Sequence, residues 1–273
     1  MQRGVFMYQS IGFIGTGNMG GALARAAVKE AHGAPVYLAN RTPEKARRLA
    51  EELGCQYQSN AFIAEHCQLI FLGVKPQFMA ALLADLAPAL RARTDRFVLV
   101  SMAAGLSAKV IQDMAGGAYP VIRIMPNTPV AVGAGVIQFC GLDTTPAELA
   151  DFQALMSSAG LVDEIPENLC DAASALSGCG PAFFAVMAEA LADGAVACGL
   201  PRAKAQAYAA QTMKGSAALM LENGIHPGDM KDAVCSPGGT TIQGVRTLEA
   251  QGFRAAAMNA VISAYEKTIG LGK

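Results

Sequence analysis

The chain of 273 residues has no tryptophan, only 3 histidines and a charged content of just 16%. Its 21 basic and 22 acidic side chains leave a formal net charge of −1. A chain so balanced has no electrostatic footprint for nucleic acid or for an anionic membrane surface, and neither partner is expected. The cysteines (Cys55, Cys67, Cys140, Cys170, Cys179, Cys198 and Cys235) include no C-x-x-C pair, and His32, His66 and His226 are scattered. An odd cysteine number at irregular spacing argues against a disulfide framework and against zinc, so no metal site is expected. The cysteines read mostly as small buried apolar side chains in a reducing cytoplasm. Long unbroken apolar runs are also lacking. The uncharged stretch 124–142 is interrupted by Pro126, Asn127, Pro129 and several glycines, unlike a membrane span. No secretory core precedes the first apolar motif, and the leading residues read as starting at Met1 or as an extension ahead of Met7. What the chain does have is apolar residues, 52% of the total, with a mean hydropathy of +0.31. That surplus implies extensive burial, a subunit interface included.

The first motif is Ile11-Gly-Phe-Ile14-Gly15-Thr-Gly17-Asn-Met-Gly20-Gly-Ala-Leu23. Apolar residues before Gly15 predict a strand, and Ala22, Leu23, Ala26 and Ala27 predict a helix. G-x-G-x-x-G at a strand-to-helix junction is a dinucleotide fingerprint. Gly15 makes the turn, Gly17 admits the pyrophosphate and Gly20 allows close helix–strand packing. An absence then selects the cofactor. About 20 residues further on, where an NAD enzyme carries an acid for the ribose diol, there is none. Asn40-Arg41-Thr42 stands there instead, offering amide, guanidinium and hydroxyl donors that suit a 2′-phosphate. NADPH is therefore expected in preference to NADH, unless Arg41 is only a solvated side chain leading into the helix at Pro43.

Strand patterns at 9–14, 35–39, 55–58, 68–74, 97–101 and 120–125 alternate with helix patterns at 18–31, 43–53, 76–90 and 106–115. This alternation predicts an α/β Rossmann-like domain with a mostly parallel sheet over residues 1–165. Two further pieces, 135–139 and 161–165, would add edge strands around a helix near 146–158. From 166 to 273 helix punctuation replaces the strand signal, with Pro181 and Pro201 at starts and Gly199, Gly224 and Gly270 at ends. An all-α dimerisation domain is expected there. Residues 182–198 are apolar nearly all round, their only charges being Glu189 and Asp193. Such a helix must be covered on most sides, either by a second subunit or by a core of its own.

The second motif is Ser236-Pro237-Gly238-Gly239-Thr240-Thr241, running into Ile242, Val245 and Leu248 at helical spacing. A helix-breaking turn at a helix N-terminus presents free N–H groups and positive potential to an anion. It reads as a carboxylate pocket or as an ordinary turn between helices.

Taken in order, Gly15-Thr-Gly-Asn-Met-Gly20, Gly73-Val-Lys-Pro76, Ala103-Ala-Gly105, Met125-Pro-Asn-Thr-Pro129, Leu176-Ser-Gly-Cys-Gly-Pro-Ala182 and Ser236-Pro-Gly-Gly-Thr-Thr241 closely resemble the pyrroline-5-carboxylate reductases. The resemblance implies reduction of a cyclic imine acid to L-proline by NAD(P)H, in the cytoplasm, by a homo-oligomer built on a dimer. It implies that Ile14, Gly15, Thr16, Gly17, Asn18 and Met19 hold the pyrophosphate and that Asn40 and Arg41 stand near the adenosine ribose. Asn60, Gly73, Val74, Lys75, Pro76, Met102, Ala103 and Ala104 would line the rest of the nucleotide. Glu167, Ser174, Ser236, Gly239, Thr240 and Thr241 would bind the substrate. Its carboxylate would rest on the Gly239 and Thr240 amides, and Thr241 would act on the imine nitrogen unless it is a plain helix cap. Two departures stand out: Ala233 where some members carry asparagine, and Cys179 where serine is common. A β-hydroxyacid dehydrogenase shares the fingerprint. That family has a lysine soon after its second-domain glycine motif, whereas here none occurs until Lys204.

Overall fold

The computed structural model describes residues 8–270, so the choice between Met1 and Met7 as start lies outside the described residues. The chain divides into two compact units, one comprising the chain through Cys179 with the segment from Ala264, the other Gly180–Ser263.

The first unit is built on an eight-stranded sheet of order β3-β2-β1-β4-β5-β6-β7-β8. Its strands are β1 (Ile11–Ile14), β2 (Val36–Ala39), β3 (Gln56–Tyr57), β4 (Leu69–Leu72), β5 (Val98–Ser101), β6 (Val121–Pro126), β7 (Gly135–Leu142) and β8 (Gly160–Glu164). Every neighbouring pair is parallel except β6 and β7. β1, β4 and β5 are buried at every position, as parallel strands covered on both faces must be. Alternate side chains feed two cores. Phe71 and Val100 join Leu23, Leu49 and Phe152 from helices α1 (Asn18–Glu30), α2 (Pro43–Leu53) and α6 (Pro146–Leu155). Ile70 and Leu99 join Ile63, Leu83 and Ile111 from α3 (Asn60–His66), α4 (Met79–Ala92) and α5 (Ala108–Ala115) on the other face. The Phe13 and Phe71 rings stack at 4.2 Å on adjacent strands.

Local sequence explains the ends of these elements. α2 starts with Pro43 in its first turn and stops at Gly54, whose φ of +66° lets its N–H close on the carbonyls of Ala50 and Glu51. Thr145 and Glu148 form a reciprocal capping box at the start of α6. Three details differ from expectation. The helix α3 is absent from the sequence pattern because it is only 7 residues long, and Ser59 caps it by accepting from the Phe62 N–H. The segment expected as one helix over 76–90 opens as a 3-10 turn, Pro76–Phe78, before α4. Helix α6 stops at Leu155 because a 3-10 turn, Ser157–Ala159, precedes β8.

Helix α7 (Glu167–Ser177) closes the first unit, packing on β6 and β7. The second unit holds α8 (Gly180–Ala197), α9 (Arg202–Asn223), α10 (Pro227–Val234), α11 (Thr240–Ala250) and the start of α12 (Phe253–Gly270). Within it, α8 packs against α9. Gly180, Ala192 and Ala205 are the buried residues of α8 and α9, and α10 to α12 have none. Large apolar side chains stay open to solvent in the single chain, among them Val186 at 67% and Leu221 at 82% exposed. The stretch Glu167–Ala197 is long and apolar enough to cross a membrane by length and composition only, and 17% of its most apolar window is buried in the single chain.

The cysteines depart from expectation. Cys67, Cys140 and Cys170 are buried, but Cys55, Cys179 and Cys235 are half-buried and Cys198 is exposed. Cys198 follows α8, whose surface is largely uncovered in one chain.

Candidate active site

In the first unit the expected nucleotide residues line one edge of the sheet. The order of strands reverses between β1 and β4, and this switch point is where an open α/β sheet leaves a crevice at the carboxyl ends of its strands. Ile14 ends β1. Gly15 and Thr16 are buried in the turn, Gly17 caps α1, and Asn18 and Met19 form its first turn. Gly73 to Pro76 follow β4, Met102 to Ala104 follow β5, and Asn60 opens α3 after β3.

The backbone there is drawn too tight for side chains. Gly15 has a φ of +98°, and a Cβ on it would lie 2.7 Å from the Gly73 carbonyl. A Cβ on Gly20 or on Gly73 would collide with the Gly15 carbonyl oxygen, while the Gly73 N–H donates to Ile14 O at 2.7 Å. Gly17, by contrast, faces open space. Beside it the buried Thr16 hydroxyl has no hydrogen-bond partner among the described residues. An open glycine, an orphaned hydroxyl and the unbonded N–H groups of a helix start suit a pyrophosphate, so the residues present fit a dinucleotide.

A cavity of about 400 Å³ at the end of β2 is lined by Asn40, Tyr57, Asn60 and Asp85 among others. Asn40 and Asn60 therefore do come together. The Asn40 side-chain amide donates to Thr42 O at 3.2 Å, so one of its donors is turned to the loop. Arg41 is exposed, with its guanidinium 5.6 Å from the centre of the Phe78 ring.

The same unit contains a polar network that the sequence motifs did not reveal. Arg123, in the middle of β6, is only 3% exposed. Its Nη2 donates to Asp171 Oδ1 at 2.5 Å, and Nη1 lies 3.6 Å from Glu167 Oε1. Burial by itself would lower the guanidinium pKa, but the hydrogen bond and charge of Asp171, with Glu167, outweigh it and hold the group above its ordinary value. Glu167 also accepts the Ala108 N–H at 2.7 Å, serving one of the open donors at the start of α5. Asn127, between the prolines of its motif, donates to Ser177 O at 3.0 Å and accepts the Val136 N–H at 2.8 Å. Gln138 and Ser177 exchange a second pair of hydrogen bonds. These contacts fix α7 on β6 and β7. The available signals were a lone arginine in Val-Ile-Arg-Ile-Met and a fixed asparagine at a strand end. Ser174 is half-buried in α7 and its carbonyl accepts the Gly178 N–H at 2.8 Å.

The second unit carries the Ser236–Thr241 loop. Gly239 N–H donates to Ser236 O at 3.0 Å, with Pro237 second and Gly238 third at a φ of +70°. This is a type II turn, and the third position demands glycine. Two expectations change. The Gly239 amide is spent within the turn, so the amides at the start of α11, Thr240 and Thr241, are the ones left for an anion. Gly239 is itself the cap of α11, and no side-chain capping bond is made, so Thr241 is not a plain helix cap. A side chain on Gly239 would run into the Ser236 hydroxyl, which leans over it. Ser236, Thr240 and Thr241 are all exposed.

Comparison with known proteins finds relatives along nearly the whole chain. A family model described as pyrroline-5-carboxylate reductase dimerisation matches residues 167–271, and one described as NADP oxidoreductase, coenzyme F420-dependent, matches residues 10–105. A pyrroline-5-carboxylate reductase of Synechocystis is 42% identical, covering 96% of this chain and 98% of its own. Its counterpart from Methanosarcina acetivorans is 39% identical over 97% and 98%, and that from Escherichia coli 37% over 98% and 100%. Among solved structures, the Plasmodium falciparum pyrroline carboxylate reductase with NADP bound superimposes with a TM-score of 0.85 at 30% identity, covering 99% of this chain and 100% of its own.

Proposed function

The chain belongs to the pyrroline-5-carboxylate reductase family, and from that premise we propose how its own residues carry the reduction of 1-pyrroline-5-carboxylate to L-proline with NAD(P)H. The enzyme is an oxidoreductase acting on a C=N bond, in the last step of proline biosynthesis. The observation that carries the assignment of roles is the type II turn Ser236–Gly239 that opens α11 on Thr240 and Thr241.

Bound NAD(P)H supplies the hydride. The chain supplies placement and electrostatics. Gly15 to Met19 cradle the pyrophosphate, with the Thr16 hydroxyl as an added donor. Asn40, Arg41 and Asn60 hold the adenosine end, and Gly73 to Pro76 with Met102 to Ala104 line the remainder. The substrate carboxylate docks on the Thr240 and Thr241 amides and the Ser236 hydroxyl, while Gly239 provides room. The Thr241 hydroxyl donates to the imine nitrogen, favouring attack at the adjacent carbon and helping the product amine keep its proton. A threonine hydroxyl has too high a pKa to store a proton, so water completes the relay. Glu167 acts through its hold on α5 and Arg123, and Ser174 lies on the same helix.

The segment 167–271 is a dimerisation domain, and the chain assembles as a homo-oligomer. Beyond that, the proposal places the domain boundary at residue 165, the assembly in the cytoplasm, and neither nucleic acid nor membrane among its partners. Purified protein supplied with the cyclic imine acid and NADPH should form L-proline with matching loss of NADPH absorbance. No turnover at neutral pH by folded protein would overturn the assignment.

A further inference from the structure

Beside the Arg123 network, two cysteines from distant parts of the chain meet. Cys140 lies on β7 and Cys170 on α7, and their sulfurs are 3.7 Å apart. Both are buried, in a small cluster with Met125, Ala104 and Ile165. The Cys170 thiol has two acceptors within reach, the Cys140 sulfur and, at 3.9 Å, the Pro166 carbonyl. Charge then orders the pair. A thiolate at Cys170 accepts the Cys140 S–H and faces the Arg123 guanidinium. Together these hold its pKa below the ordinary thiol value, against burial and the carboxylates of Glu167 and Asp171. Cys140 is correspondingly pushed up, by giving that hydrogen bond and by burial. The surroundings tie the pair to the nucleotide edge. Ala104, which ends segment 102–104, packs on it directly. Asp171 follows Cys170 and holds Arg123, and Glu167, about one turn earlier, holds the Ala108 N–H.

We propose that Cys140 and Cys170 are a redox modification site, closed by hydrogen peroxide into a disulfide that staples α7 to β7 and loosens the grip on NADPH. The loss of grip rests on the reading of segment 102–104 as part of the nucleotide site. The Cys170 thiolate attacks one peroxide oxygen and the O–O bond breaks. The hydroxide released takes up the proton that left Cys170 and becomes water, while the sulfur becomes a sulfenic acid. The Cys140 sulfur then attacks it. The S–S bond forms, the S–O bond breaks, and the hydroxyl leaves with the Cys140 proton as a second water. Two sulfurs are each oxidised by one electron, and one peroxide is reduced by two. Burial favours this outcome, because the sulfenic acid already touches the thiol that resolves it. Closing from contact to bonding distance draws α7 and β7 together. That displaces two supports of segment 102–108, the packing under Ala104 and the Glu167 bond to the Ala108 N–H.

Peptide mapping and equilibrium binding test this on the full-length protein. After treatment with hydrogen peroxide and its removal, a peptide pair linked through Cys140 and Cys170 should appear, and dithiothreitol should separate it. Cleavage after glutamate makes the link readable, because Glu148 and Glu164 lie between the two cysteines. Fragmentation then distinguishes Cys170 from Cys179. Titration with NADPH, followed by its fluorescence, should show binding weakened about 10-fold by oxidation, the scale of one hydrogen bond lost, and restored by dithiothreitol. Cys140→Ala and Cys170→Ala should each bind NADPH within about 2-fold of the reduced wild type and ignore peroxide. Either variant suffices if the other misfolds. No linked peptide, a link from Cys170 to Cys179, or oxidation of Cys170 to a sulfinic acid in place of the link would overturn the inference. So would a linked protein with unaltered NADPH affinity, or a peroxide response that survives in the variants. A reduced wild type that fails to bind NADPH would instead overturn the reading of the nucleotide site, which keeps the two failures apart.

Discussion

Thr241 occupies the second position of α11 behind a glycine cap, so its hydroxyl is not consumed in starting the helix. Thr241→Ala should lower kcat by about 10- to 1,000-fold with little change in KM, because the donor matters most in the transition state. Thr241→Ser should recover most of the loss. Wild-type kcat in the alanine variant would reduce Thr241 to a backbone donor. Arg41→Asp should move the ratio of kcat/KM values from NADPH towards NADH, since the new carboxylate repels a 2′-phosphate and can accept from a ribose diol. An unchanged ratio would remove Arg41 from the site. Asp171 is tied to stability instead. Asp171→Ala leaves the guanidinium of Arg123 buried beside only the more distant Glu167, and should cost about 3–5 kcal/mol in denaturant unfolding. Adding Arg123→Met should recover part of that loss, because the uncompensated charge goes with the arginine. No recovery would mean that the cost lies in packing. Of these side chains, Thr241 and Arg41 were legible from their place in short motifs. Arg123 and Asp171 were not, because they lie 48 residues apart and meet only across a strand and a helix.

At the level of elements, the turn ahead of α11 is tightly constrained in conformation. Gly238 sits at a φ of +70° inside the Ser236–Gly239 turn. A side chain there costs about 1–2 kcal/mol for the left-handed backbone, and the turn can relieve it by opening. Gly238→Ala should therefore raise KM for the imine acid while leaving the dissociation constant of NADPH unaltered. A parallel loss of cofactor affinity would show that the substitution unfolds more than the loop. The strands and most helices of the first unit follow directly from period and punctuation, since β1, β4 and β5 are unbroken apolar runs and α2 is bracketed by Pro43 and Gly54. Helix α3 did not, because seven residues give too few turns for an apolar period to emerge. The antiparallel pairing of β6 with β7 was equally hidden, since strand direction is set by the connection and not by the pattern within the strand.

For the whole molecule, the open apolar surface of the second unit decides how it must behave. Val186 is 67% exposed in one chain, so a lone chain would accept an aspartate there at almost no cost. In the homo-oligomer, Val186→Asp should bury an unpaired carboxylate and yield insoluble protein or a poorly folded monomer. Normal solubility and assembly of that variant would place Val186 outside the interface. The wild type should have a thermal midpoint that rises with protein concentration, because folding and association are then one equilibrium. Sedimentation as a monomer at micromolar concentration with a constant midpoint would show that the helices close on themselves. The sequence by itself determined most of the elements, the glycine fingerprint turn and the Ser236–Gly239 turn, because these depend on periodicity and on backbone conformations that only glycine and proline permit locally. Only the tertiary structure decided that Gly239 spends its amide inside its own turn, that Arg123 is locked to Asp171, and that Cys140 meets Cys170. Those facts depend on which groups meet across long stretches of chain, and no spacing within the sequence encodes that.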